Sequence, residues 1–317
     1  MKRCLYCYLP LKKDETDFHT ACSKKIFKQP APPILPFTES EMEKLGKNII
    51  RSHITIPGVQ PKISLDISPD NSNSSEPKRF TIVGLPGGYI LKPPSKLYPQ
   101  LPETEDLTMH LAEIAKIKVV PHSLIRLKSG TLAYITRRID RNENKKFHME
   151  DMCQITERLT EEKYNGSYEQ IAKAILKYSS APGLDVVNFF EQLLFTYLTG
   201  NADMHLKNFS LIKLDDSGYT LSNAYDMVAT ALVNPDDKEE FALTLNGKKN
   251  RIKRSDFNTV LCNFKLEPAQ QKNIFKKMET SFDKWMEFIK ISFLSDDYKK
   301  AYKKLIRKRF SVIFDNS

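Results

Sequence analysis

The chain has 317 residues, 40% apolar and 28% charged, with a mean hydropathy of −0.44 and a formal charge of +10. That length suits two lobes or domains with a sizeable core, and the composition excludes a disordered tail and a fibre. The longest apolar stretch, Val186–Leu198, is interrupted by Asn188, Glu191 and Gln192 and is too short to span a bilayer, so no membrane association is expected.

Residues 1–35 form a distinct segment that ends in the proline-rich run Gln29–Pro36, read as a stiff connector. The start, Met1-Lys2-Arg3 followed by Cys4–Leu11, superficially resembles a short signal sequence. Pro10 and the charges Lys12–Glu15 cut it off, and it has no small-residue cleavage site. Five cysteines in a chain this long are no disulfide scaffold, and a reducing, cytoplasmic compartment is expected. Cys4-x-x-Cys7 and His19-x-x-Cys22 have two readings. As two pairs of soft ligands they make a structural zinc knuckle, whose metal would let a segment with no core of its own fold. As small apolar residues the cysteines simply pack.

After a helix at about 39–49, the chain reads as short strands at 62–67, 79–83, 89–92, 123–127 and 131–137, with a polar hairpin tip at 68–78 and one helix at about 102–117. Beyond Glu150 the character becomes helical, at 168–178, 186–199, 268–291 and 296–313. A β-rich part at 36–141 followed by a helical part at 142–317 gives an α+β fold class, with the outline of a bilobed kinase. Two basic runs, Lys248–Arg254 and Lys299–Arg309, read as solvated faces or as a surface for nucleic acid or an acidic partner. In the second, Tyr302, Leu305, Ile306 and Phe310 recur at helical spacing, which predicts one buried stripe.

The window Gly200–Ile212 (GNADMHLKNFSLI) follows the apolar helix and carries Asp203 and, five residues on, Asn208. Two short strands joined by a DDSG turn come next, then Asp226 in Ala224-Tyr-Asp-Met227. Phosphoryl transfer needs a carboxylate for the attacking hydroxyl, and an amide oxygen with a second carboxylate for magnesium, in that order. Asp-x-x-x-x-Asn alone is common; the hairpin and second aspartate make it more specific. Upstream, Lys92 ends the strand Tyr89–Lys92 and Glu105 falls on the next helix, as a lysine–glutamate ion pair requires. The loop Ile54–Lys62 holds one glycine, Gly58, so it is neither a G-x-G-x-x-G loop nor a Walker A motif. His205 is read as positioning the loop or filling the lobe interface, and Lys207 as neutralising phosphoryl charge or as solvated. Gln60 and Lys62 either touch phosphates or anchor their loop, while Glu150, Asp151 and Gln154 start a helix and pack, or contact substrate.

On GVQPK (Gly58–Lys62), YILKP (Tyr89–Pro93), RRIDR (Arg137–Arg141), EDMCQ (Glu150–Gln154), GNADMHLKNFS (Gly200–Ser210) and AYDM (Ala224–Met227), the sequence resembles the HipA family of toxin–antitoxin serine/threonine kinases. At 317 residues it is similar to the short, HipT-like members, whose longer relatives carry an extra N-terminal subdomain. The resemblance implies ATP with magnesium, Asp203 as base, Asn208 and Asp226 as metal ligands, Lys92 on the phosphates with Glu105, and Arg137–Ile139 as the adenine hinge. It implies autophosphorylation of a hydroxyl in the phosphate loop, at Thr55 here, with Pro57 where short relatives carry a second serine. It also implies an aminoacyl-tRNA synthetase as substrate, a HipB-like helix-turn-helix antitoxin, a small HipS-like partner, and DNA contact only through the antitoxin complex. Two other functions stay open: a small-molecule kinase on the same framework, and an antitoxin-bound corepressor that needs no chemistry.

Overall fold

Five short strands, β1 (Ile63–Ile67), β2 (Phe80–Ile82), β3 (Tyr89–Lys92), β4 (His122–Arg126) and β5 (Leu132–Arg137), pair antiparallel in the order β2-β1-β3-β5-β4. Alternating burial sets the register: Ile63, Leu65 and Leu91 point to one core, and pairing of Lys92 with Tyr134 places the lysine at the end of a central strand. The computed structural model describes residues 2–42, 44, 61–67, 78–83, 87–142 and 145–315. The polar tip at 68–77 and most of the expected helix at 39–49 lie outside the described residues; 39–42 are helical.

The chain divides into two compact units, one of Met1–Asp106, Val120–Asn144 and Ile291–Phe293, the other of Leu107–Val119, Lys145–Lys290 and Leu294–Ser317. The N-terminal segment belongs to the first. Its α1 (Thr20–Phe27) and a turn at Cys4–Leu9 bury Cys4, Leu5, Tyr8, Ile26 and Phe27, and the Phe80 ring meets those of Phe27 and Tyr89 edge to face. The helix α2 (Leu101–Ile114) contributes residues to both units.

The second unit holds a three-stranded sheet, β6 (His148–Asp151), β7 (Ser210–Lys213) and β8 (Thr220–Leu221), in the order β8-β7-β6. β7 and β8 are the expected hairpin. Its helices include α3 (Met152–Ile155), α4 (Tyr168–Tyr178), α5 (Pro182–Thr199), α6 (Arg254–Asn263), α7 (Pro268–Glu279), α8 (Phe282–Lys290) and α9 (Asp296–Phe314). α5 starts four residues earlier than the apolar pattern predicts, because Pro182 fits the first helical turn. Asp185 there accepts from Ser179 Oγ (2.6 Å) and from the Leu221 N–H (2.7 Å). Every residue from Phe189 to Thr199 is buried, polar Glu191, Gln192, Thr196 and Thr199 among them, so the second half of α5 is enclosed on all sides, as a central helix is.

The single helix expected at 268–291 is two. The Thr280 and Ser281 hydroxyls bond back to the Lys276 and Lys277 carbonyls, ending α7 before α8 begins. α6 was not foreseen, because its opening coincides with the first basic run. In the C-terminal helix the buried stripe is Tyr302, Ile306, Arg309 and Ile313, with Leu305 and Phe310 only half-buried. Arg309 lies over the Tyr197 ring at 4.6 Å, Arg254 over Phe275 at 4.1 Å, and Lys248 pairs with Asp256 at 2.7 Å. Part of each basic run is therefore spent inside the fold. No helix among the described residues is long and apolar enough to cross a membrane.

α5 ends on Gly200, at φ 72°, where an added Cβ would sit 2.7 Å from Leu305 Cδ2 and 3.3 Å from Ala231 Cβ. Gly200→Ala is expected to lower unfolding free energy by about 1–3 kcal/mol, read as a lower urea midpoint with unchanged slope. An unchanged midpoint would show that the close approach is not constraining.

Candidate active site

Beyond Gly200 the backbone is pinned at nearly every residue. The Asn201 N–H bonds the Thr196 carbonyl (3.0 Å), the Ala202 N–H bonds Thr230 Oγ1 (2.7 Å), and the Asp203 N–H bonds Asn201 Oδ1 (3.1 Å). Buried Tyr168 donates to the Met204 carbonyl (3.0 Å). A short 3-10 turn, Leu206–Asn208, then carries the chain into β7. The turn puts Asp203 and Asn208 on one rigid segment, Asp203 half-exposed and Asn208 buried.

Asp203 and Asn208 differ in their surroundings. Tyr164, absent from the sequence-based site, donates to Asp203 Oδ1 at 2.6 Å. Burial first, and the neighbouring Asp203 charge second, push its phenol well above the usual range, so it stays a donor at neutral pH. The amide oxygen of Asn208 has no hydrogen-bond partner among the described residues, although it is buried. Such a group is costly unless something accepts its lone pairs, and a hard cation fits an amide oxygen.

Asp226 follows on a strained backbone, at φ 61°, a conformation that aspartate tolerates and that clusters at functional sites. The segment is tied in by Tyr225, whose hydroxyl bonds the Lys207 carbonyl (3.0 Å) and Ser210 Oγ (2.5 Å). It is also tied by the Ala224 N–H bond to the Lys118 carbonyl (2.8 Å). Asp203, Asn208 and Asp226 thus lie in one unit, joined by hydrogen bonds rather than by sequence alone. A buried amide oxygen without a partner among the described residues and a carboxylate fit magnesium, a cation that prefers oxygen ligands.

Lys207 is held by Asp151 at 2.6 Å. Asp151 also caps α3 reciprocally with Gln154, so the expected helix-start role for both is present, whereas Glu150 lies in β6. His205 is buried with its ring edge-on to Tyr164 at 5.1 Å. In the first unit Lys92 donates to Glu105 Oε1 at 2.5 Å, the two side chains 5% and 1% exposed, and the ammonium lies 5.4 Å from the Tyr134 ring centroid. Arg137 closes β5 with a bond to the Lys25 carbonyl (3.4 Å), Ile139 is half-buried, and Lys62 is exposed just before β1. Gly58, Gln60 and Thr55 lie outside the described residues. Cys4 and Cys7 are brought together with His19 and Cys22 into one cluster.

The family model described as the HipA-like C-terminal domain matches residues 54–286. The chain belongs to the HipA-like family. A Haemophilus influenzae protein named "Putative kinase" is 30% identical to it over 250 residues, 73% of this chain and 69% of that protein. A Sinorhizobium fredii protein named "Putative kinase Y4dM" is 32% identical over 208 residues, 62% of this chain and 49% of its own length. The chain therefore spans about half of that relative. Among solved structures, the Shewanella oneidensis HipA in complex with HipB and operator DNA superposes with a TM-score of 0.69. The match covers 90% of this chain and 73% of that one at 19% identity. The Helicobacter pylori proinflammatory kinase CtkA matches with a TM-score of 0.54, over 79% of this chain and 94% of its own, at 16% identity. Both likenesses are of fold, and they establish the HipA-like, kinase-like architecture.

Proposed function

We propose that this HipA-like chain is an ATP-dependent serine/threonine protein kinase, the toxin of a bacterial toxin–antitoxin pair acting in the cytoplasm. The observation that carries the reading is the buried amide oxygen of Asn208, without a hydrogen-bond partner among the described residues, on the same pinned segment as Asp203. In this reading Asp203 orients the substrate hydroxyl and accepts its proton, through the oxygen that Tyr164 leaves available. Lys92, fixed by Glu105, binds the phosphates, and Arg137–Ile139 lie against adenine. Asn208 and Asp226 would hold magnesium, which neutralises charge on the phosphates when bound. Gly58, Gln60 and Lys62 belong to the loop over the phosphates, and Thr55 is the proposed site of autophosphorylation. Lys207, already neutralised by Asp151, is assigned to holding the loop onto α3, and His205 to backing Tyr164.

The proposed substrate is an aminoacyl-tRNA synthetase. The proposed partners are a HipB-like antitoxin, as in the Shewanella complex, and a small HipS-like protein, with DNA reached through the antitoxin. Titration calorimetry tests the nucleotide half of the reading. ATP is expected to bind the full chain in a magnesium-dependent way, and the magnesium dependence is expected to vanish in Asp226→Asn. Affinity indifferent to magnesium in the unaltered chain would contradict it.

Tyr164 acts on Asp203 and is a positioning residue. A hydrogen bond to a charged group is worth about 1.5–3 kcal/mol, so Tyr164→Phe is expected to lower kcat about tenfold or more, with the KM for ATP unchanged. A raised KM with kcat intact would place Tyr164 in nucleotide binding instead.

A further inference from the structure

Cys4, Cys7, His19 and Cys22 each bring one ligand atom into a group whose members all lie within 4.8 Å of one another. A tetrahedral zinc ion, with bonds of about 2.3 Å to sulfur and about 2.0–2.1 Å to nitrogen, spaces its ligands about 3.8 Å (sulfur to sulfur) and about 3.6 Å (sulfur to nitrogen) apart. His19 Nδ1 lies 3.4 Å from Cys7 Sγ and 3.7 Å from Cys22 Sγ, bracketing the second value. His19 Nε2 lies 3.0 Å from the Pro10 carbonyl, which can only accept. Nε2 therefore carries the proton and Nδ1 turns its lone pair toward the sulfurs. A carbonyl fixing the tautomer of a ligating imidazole in this way is the usual outer-shell support of a zinc site.

The backbone is shaped to the same end. Tyr8, directly after Cys4-x-x-Cys7, adopts φ 63°. The Tyr8 N–H bonds the Cys4 carbonyl and the Cys4 N–H bonds the Leu9 carbonyl, both at 2.9 Å. Simple packing of small residues does not account for the cluster, because Cys7 and His19 are only half-buried.

The turn is also wired to the helix that carries Glu105. The Leu5 carbonyl accepts from the Leu124 N–H (3.3 Å) and Ser123 Oγ (3.1 Å). Tyr8 donates to Asp106 Oδ2 at 2.7 Å, and the other oxygen of Asp106 meets His122 Nδ1 at 2.6 Å. Asp106 is the residue next to Glu105. We propose that Cys4, Cys7, His19 and Cys22 hold a structural zinc ion that folds the N-terminal turn and, through Tyr8 and Asp106, fixes Glu105 and hence Lys92. The last link rests on the kinase reading; the zinc site does not.

The full chain, purified without chelators, is expected to contain about one zinc ion by plasma mass spectrometry. Cobalt in its place is expected to give a thiolate charge-transfer band, and Cys7→Ser or Cys22→Ser to lose the metal. Thiol labelling of the unaltered chain needs no variant to fold: Cys4, Cys7 and Cys22 should resist alkylation until a strong chelator is added. Zinc well below stoichiometry after incubation with the ion, equal labelling with and without chelator, or a disulfide among the three thiols would overturn the site. Zinc removal should weaken Mg–ATP affinity about tenfold. Zinc bound at full stoichiometry with affinity unchanged on its removal would overturn the coupling. Full zinc occupancy with no ATP binding would support the site and reject the kinase reading.

Discussion

Asp203→Asn is expected to reduce phosphoryl transfer about 10²–10⁴-fold, the range for loss of a positioned general base, with fold and ATP affinity unchanged. The substitution is nearly isosteric. An asparagine oxygen still accepts the Tyr164 hydroxyl, and the Asp203 N–H keeps its bond to Asn201 Oδ1. What disappears is the charge and the proton acceptor. Single-turnover kinetics beside titration calorimetry separate the effects: a rate loss with intact affinity assigns Asp203 to chemistry, whereas parallel losses would assign it to nucleotide binding.

Removal of the Lys92 ammonium is the second large effect. The side chains of Lys92 and Glu105 are 5% and 1% exposed, so Lys92→Met leaves a buried carboxylate without its cation. Breaking a buried pair from one side costs about 3–5 kcal/mol, a large fraction of a domain's stability. The double variant Lys92→Met with Glu105→Leu removes both charges and is expected to recover most of that loss, yet to remain unable to bind ATP productively. Recovery of stability without recovery of nucleotide binding shows that the pair is kept for function. Nucleotide binding restored by an apolar pair would show that it serves the core alone.

Much of this arrangement is legible in the sequence because the determining interactions are local. Alternation places β3 and β5, the apolar run places α5, and the DDSG turn joins β7 to β8. The lysine at a strand end and the glutamate a helix turn into α2 follow from the same reading, and the structure pairs them at 2.5 Å. Tyr164 was missed because it meets Asp203 across 39 residues and stands in no recognisable spacing. The Lys207–Asp151 pair was missed for a related reason: Asp151 carries a clear helix-start signal, which hides that its second oxygen is free to take a cation. The break between α7 and α8 was invisible to periodicity, since hydroxyl back-bonding by Thr280 and Ser281 interrupts the helix without interrupting the apolar pattern. The Cys/His cluster was readable as two close pairs, but the tautomer of His19, which gives the cluster its direction, depends on the fold placing Pro10 behind it.

Transfer of γ-labelled phosphate is the most direct test of the kinase reading. The purified full chain is incubated with γ-labelled ATP and magnesium, alone and with a bacterial cell extract, beside Asp203→Asn, and phosphoamino acids are resolved after hydrolysis. Label on serine or threonine with the unaltered chain, abolished by Asp203→Asn, is the predicted result. Label of equal strength from both chains, or ATP binding with no label on any protein, would contradict it.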